Sequence, residues 1–274
     1  MEPTQQPQQQ AQQAQQTQQQ EQTFQFPTEE VTLPSKGLLY PEGHPLKSGI
    51  VQMKYMTARE EDILTNQNFI KNGTVIDKVL ESLLISKINL DDMLIGDKNS
   101  LLVAARILGY GSEYTFKYPH PDTKESEEIT VDLTDASDKY FDNSKMINGK
   151  NEFEFVLPMS KVVLTFKLLT QGDDKKIDAE LKGLKKINRN SEPQLTTRLK
   201  HMILSVNGDY TVKTVREFVD NQFLARDSKP FRDYASSIMP DIDLDFNINF
   251  EDGASVDGVS IPININFFWP DASV

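Results

Sequence analysis

Cysteine is missing from all 274 residues of the chain. Disulfides, thiolate zinc sites and cysteine nucleophiles are thereby excluded together, and the absence fits a reducing compartment. Basic charge is scarce as well: 29 Lys and Arg stand against 41 Asp and Glu, for a formal net charge of -12. Binding to nucleic acid draws on clustered cations that displace counterions from phosphates. The nearest candidate, "KKIDAELKGLKK", is interleaved with acids, so no nucleic-acid partner is expected. No run of about 18 apolar residues occurs, so no membrane span is expected. The first residues lack the basic and apolar regions of a signal peptide, and a cytoplasmic life is the simplest expectation.

Catalytic signatures are equally thin. Of the three histidines, His44, His120 and His201, none has a second histidine three or four residues away, so there is no helix-borne metal pair. The patterns G-x-x-x-x-G-K-[ST], G-x-G-x-x-G and G-x-S-x-G do not occur, and "GYGSEY" at 109–114 reads as a helix stop. Asp241, Asp243 and Asp245 alternate along a predicted strand and share a face. Hard cations seek such oxygens, but the ligand spacing of a calcium loop is absent, and a solvated strand face is the plainer reading. The chain is not expected to be an enzyme, to hold a cofactor or metal, or to take a small-molecule substrate.

What is present divides into a tail and two structured stretches. Residues 1–30 form a glutamine-rich tail whose core, up to about residue 27, is of low complexity. It cannot bury enough apolar surface to offset its ordering entropy, so disorder is expected. A Pro- and Gly-rich arm follows, "LPSKGLLYPEGHPL", and then a strand in "GIVQMKYM". Thr57 with Glu60 has the spacing of a capping box, for a helix expected to run to Lys71. Ile76, Val79, Leu80, Leu83 and Leu84 fall on one helical face. Asp97 is a candidate cap for the next helix. "YTFKYPHPDTKES" and "ITVDL" then read as strand, turn and return. Farther on, "EFEFVLPMSKVVLTFKLL" predicts strand, turn and strand. "SVNGDYTV" predicts a tight hairpin, because Asn-Gly suits positive-φ turn positions. Thr214 with Glu217 predicts another capping box, and Asp227 or Ser228 a cap for the last helix.

The two stretches align with each other. With residue 93 set against residue 223, Leu94 meets Leu224, Asp97 meets Asp227, Ala105 meets Ala235, Phe116 meets Phe246 and Asp122 meets Asp252. Upstream, "VQMKYMTAREEDIL" falls against "LTFKLLTQGDDKKI", so Thr57 meets Thr170. "LPSK" at 33–36 echoes "LPMSK" at 157–161. The expected fold class is α+β: helices with β-hairpins, as two copies of a strand–helices–hairpin unit packed into one pseudo-symmetric body. The units are residues 31–150 and 151–274, the second ending in an aromatic strand. There "NFFWPD" places Phe267, Phe268 and Trp269 in succession. Bulky residues in succession point to both faces of an extended segment: one face can cover the protein's own core, the other needs a partner.

The ordered set "LPSKGLLYP", "MKYMTAREEDIL", "LIGDKNSLLVAARILGYG", "LPMSKVVLTFKLLTQGDD", "SVNGDYTVKTVREFV", "ARDSKPFRDY" and "FFWPD" resembles the baseplate hub family of T-four-like (T-even) contractile-tailed bacteriophages. The likeness runs from about residue 31 to the end. It implies a non-enzymatic part in virion tail assembly, in the host cytoplasm and then in the tail baseplate, through contacts with other phage tail proteins. The alternative it leaves open is an assembly chaperone absent from the finished virion. Residues expected at such contacts are Phe267, Phe268 and Trp269, with Leu38, Leu39 and Tyr40 of the arm. Members of the family often carry cysteine pairs in the hairpin loops, in the style of a zinc ribbon. This chain departs from that: one histidine per site cannot complete a tetrahedral zinc shell. The 114–126 hairpin is expected to be ordered without metal, and His120 to be dispensable for stability.

Overall fold

In a computed structural model, which describes residues 27–147, 149–188 and 193–268, the arm is the tip of a hairpin. Strand β1 (Thr28–Thr32) pairs antiparallel with β2 (Ile50–Lys54), and the intervening Leu33–Gly49 segment folds back on their end. The glutamine-rich residues 1–26 and Trp269 lie outside the described residues, and so do the expectations attached to them.

Thr57 ends β2's extension and opens helix α1 (Ala58–Leu64) with the anticipated capping box. The helix does not continue to Lys71. Asn66 accepts hydrogen bonds from the N–H groups of Asn68 and Phe69 and starts a separate helix, α2 (Gln67–Lys71). A residue whose side chain competes for backbone donors divides what apolar spacing alone joins. Helix α3 (Val75–Leu83) buries Val75, Val79, Leu80 and Leu83 on one face. Helix α4 (Ile95–Tyr110) is the long central element, and its first turn passes so close to Pro240 that a Cβ on Gly96 would overlap that residue's carbonyl. Strands β3 (Glu113–Pro119) and β4 (Ser126–Asp132) form the expected hairpin, and β5 (Ser137–Lys139) lies in the polar connection.

The second stretch opens with β6 (Phe153–Val156) and β7 (Val163–Phe166), joined by the 157–162 tip. Thr170 and Asp173 form a second capping box for α5 (Gln171–Ile187), followed by α6 (Gln194–Met202) and β8 (Ile203–Val206). β8 completes a three-stranded antiparallel sheet in the order β6-β7-β8. Asn207 and Gly208 take the positive φ values of 50° and 80° that the turn needs, but the return is one bridge from Val206 to Asp209, not a strand. The cap of α7 (Val212–Asn221) is Thr211, three residues ahead of the expected Thr214. Helix α8 (Ala225–Ser237) starts after Leu224, and β9 (Asp241–Asp243), β10 (Asp245–Asn249) and β11 (Ser255–Ser260) follow. The aromatic end is one helical turn, α9 (Ile265–Phe268), not the expected strand. Asn264 sets it: its carboxamide accepts from the Asn266 N–H at 2.8 Å and its carbonyl from the Phe267 N–H at 3.1 Å.

The fold class is α+β. Aligned positions repeat local devices in both stretches. Thr115 pairs with Thr130 and Phe116 with Ile129 in one hairpin, Asp245 with Ser260 and Phe246 with Val259 in the other. Lys54 bonds the capping-box residue Glu60 at 3.1 Å, as Lys167 bonds Asp173 at 2.7 Å. Several seams join the stretches. β5 pairs with β9. Leu94 bridges Thr170, and the Gln171 N–H donates to the Met93 carbonyl at 2.9 Å. Lys98 binds both Asp77, at 2.5 Å, and Gln171, at 2.8 Å. The two hairpins meet through His120. A single cluster of buried apolar side chains extends from Leu33 to Phe268. Full burial of each such side chain stabilises by roughly 1.5–3 kcal/mol.

Candidate functional site

Two aspartates, each in the first turn of a long helix, organise the ends of the β1–β2 and β6–β7 hairpins. Neither is the helix cap that its sequence position suggests. Leu94 and Leu224 hold the cap positions, and Asp97 and Asp227 lie three residues inside. From there the carboxylates reach out to a hairpin tip. Asp97 accepts from the Ser35 N–H at 2.9 Å, the Ser35 hydroxyl at 2.6 Å and the Tyr40 hydroxyl at 2.7 Å. Asp227 accepts from the N–H groups of Met159 and Ser160 at 2.7 and 3.0 Å. Each tip then turns through a lysine in the left-handed region, Lys36 at φ 52° and Lys161 at φ 61°. That conformation is uncommon for a side-chain-bearing residue; each tip is held in it by its aspartate. The "LPSK" and "LPMSK" echo was the signal in the sequence for this pairing, but it did not say what the aspartates bind.

The residues nominated for partner contact that the structure describes are largely packed within the protein itself. Leu39 and Tyr40 are buried, and Leu38 is half-buried. The Tyr40 ring stacks on His44 with centroids 5.1 Å apart, and its hydroxyl accepts from the Leu94 N–H at 3.0 Å. Phe267 and Phe268 are both buried, Phe267 against Tyr114 at 5.2 Å. A helical turn makes this possible, because it carries adjacent side chains about 100° apart instead of onto opposite faces. Trp269 lies outside the described residues. Arg106, which the sequence did not single out, anchors this end. Its guanidinium is buried and donates to the carbonyls of Phe267, Gly111 and Glu113 at 3.2, 2.9 and 3.2 Å.

His120 is buried and engaged at both ring nitrogens. It is 2% exposed. Its Nδ1 accepts from the N–H groups of Asp122 and Thr123 at 3.2 and 3.3 Å. The proton therefore sits on Nε2, which faces Asp252 Oδ2 at 3.2 Å in the other hairpin. The ring packs edge-on against Phe250, with centroids 4.6 Å apart. Residues 120 and 250 are equivalent in the internal alignment, so the two loops fasten to each other at matching positions. The Ala254 N–H and His120 hold the Asp252 carboxyl below the usual carboxylate range.

The acidic strand does not converge on a cation. Asp241 binds Asn99 at 3.1 Å and its own chain at the Ile242 N–H, while Asp243 faces Lys139 at 3.4 Å. Among the described residues no three His, Asp or Glu side chains gather as metal ligands. A cavity of about 510 Å³ beside the start of α5 is lined by Asp91, Lys167, Asp173, Lys175 and Lys176, and each of these lysines already faces an aspartate. Among the described residues no helix is long and apolar enough to cross a membrane.

A family model described as "T4 bacteriophage base plate protein" matches residues 27–266. No curated protein and no solved structure matches the chain.

Proposed function

We propose a structural part in the tail baseplate from one premise: the chain belongs to the T4 bacteriophage base plate protein family, matched over residues 27–266. That membership carries the proposal. The role is that of a hub-region component that acts in tail assembly through contacts with other tail proteins and without catalysis. Supporting it, the carboxylates of Asp97 and Asp227 face inward to hairpin tips. The organisation as two related units, 31–150 and 151–274, belongs to the same proposal. So does passage from host cytoplasm to virion.

Mass spectrometry of purified particles tests it. A permanent component is present in stoichiometric amount with the baseplate. Absence from particles, with association only in assembly intermediates, replaces this reading with a transient assembly chaperone. No association with any baseplate protein in infected cells removes both.

A further inference from the structure

The two aspartate boxes are built alike but covered differently. In the first, the loop from Gly37 to Ser48 returns to the box through the Tyr40 hydroxyl, which meets both Asp97 and Leu94, and Pro34, Ser35, Leu94, Leu39, Tyr40 and Leu46 are all buried. In the second, the tip is cut short to residues 157–162, and no counterpart of that loop exists. Pro158, Met159 and Ser160 are exposed, and Leu224, aligned with the 3% exposed Leu94, is 50% exposed. Beside Leu224, in the first turn of α8, Ser228 is 7% exposed, and its Oγ has no hydrogen-bond partner among the described residues. Buried hydroxyls are ordinarily paired. The two carboxylates themselves are both fully buried and differ in their donors. Burial pushes the Asp97 carboxyl up, whereas at Asp227 the same effect is outweighed by the Met159 and Ser160 N–H groups, which hold it below the usual range.

We propose that the bare face formed by Met159 and Leu224 at the start of α8, with the unpaired Ser228 hydroxyl beneath it, is a docking site for a loop of another tail protein. The loop carries leucine side chains and a hydroxyl-bearing aromatic, the chemistry of this chain's own residues 37–48. The occupant is identified by the half of the molecule that already has its cover. There a tyrosine hydroxyl both donates to the aspartate and accepts the cap residue's N–H, and the leucines beside it in the arm, Leu39 and Leu46, are buried like the cap leucine. At α8 an incoming loop meets the exposed Met159 and Leu224, with the enclosed, unpaired Ser228 hydroxyl one turn into the helix. The proposal rests on the tail-assembly role above, since it takes the partner from among tail proteins.

The absence of cysteine makes a footprint straightforward. Met159→Cys and Leu224→Cys are each introduced into the full chain and labelled with a maleimide, first in the free protein and then in its complex with co-expressed tail proteins. The expected result is at least tenfold slower labelling of both thiols in the complex. A photo-crosslinker at position 159 is expected to join a leucine- and tyrosine-bearing segment of the partner. Leu224→Asp is expected to weaken the complex at least tenfold with the free chain's Tm unchanged, as suits a half-exposed position. A complex in which both thiols label at the free rate overturns the docking site and leaves the tail role standing. A crosslinked segment without leucine or tyrosine overturns the stated chemistry. If the chain forms no complex with any tail protein, the role and the docking site fall together.

Discussion

At the scale of single residues, the groups that matter most are buried polar side chains whose partners lie far away in the chain. His120 fills both ring nitrogens and stacks on Phe250, so His120→Ala removes packing and leaves two loop N–H groups and Asp252 without their partner. The expected loss is about 2–3 kcal/mol by urea denaturation; a loss below about 0.5 kcal/mol, the range of an inert surface change, would return the residue to the dispensable role its sequence context suggested. Asp97 is the more exacting case, with three donors aimed at a carboxylate that is fully buried. Asp97→Ala strands all of them and is expected to cost about 3 kcal/mol or more. Unchanged stability in the same denaturation assay would show that the box does not hold the hairpin tip.

At the scale of elements, the capping boxes couple strand ends to helix starts and give the fold a pH dependence. Burial pushes the Glu60 carboxyl up, but donors on Ser82, Thr57 and Lys54 outweigh it and hold the pKa at about 2. Glu180 is held at about 2 as well, mainly by Arg216, with His201 adding to it against a smaller cost of burial. A carboxylate depressed in the folded state binds protons first in the unfolded chain. Its contribution is thus complete above the ordinary carboxylate range near 4.5 and is lost as pH falls toward 2. Stability measured by denaturant titration is expected to decline from about pH 5 downward, and Glu60→Gln to flatten part of that decline. An identical slope in the variant would show that Glu60 is not a source of it. The elements also explain where local spacing misled. Asn66 split one expected helix, Thr211 took the cap ahead of Thr214, and Asn264 wound the aromatic end into a turn. In each case a side chain of Asn or Thr captured a backbone donor that apolar periodicity ignores.

At the scale of the whole molecule, the two stretches share one core and several polar or strand seams. Phe153, Phe166 and Phe231 pack in the second stretch, and Leu101 and Val103 in the first, within a single apolar cluster. We expect one cooperative unfolding transition, with far- and near-ultraviolet circular dichroism superposing. Two separated transitions would mean that 31–150 and 151–274 are independent domains. The stretches are asymmetric at this scale: Leu94 is 3% exposed and Leu224 50%. The arm that seals the start of α4 has no counterpart at α8, so a repeated plan leaves one covered site and one open.

The sequence by itself determined the local plan: α+β composition, the Thr57 capping box, the β3–β4 and β6–β7 hairpins, the internal echo and the likeness to baseplate proteins. These follow from contacts between residues close in the chain and from patterns that repeat along it. Only the tertiary structure decided which way the chemistry-bearing side chains are used. The spacing around Asp97 suits a helix cap as well as a hairpin anchor, and Ser35, 62 residues away, settles it. Phe267 and Phe268 suit an interface as well as a core, and within this chain both are buried, Phe267 against Tyr114. Local propensity is blind to partners that distant folding brings into reach. The same blindness hid the cover over Leu94 and the bare face at Leu224, which are equivalent in sequence and opposite in exposure.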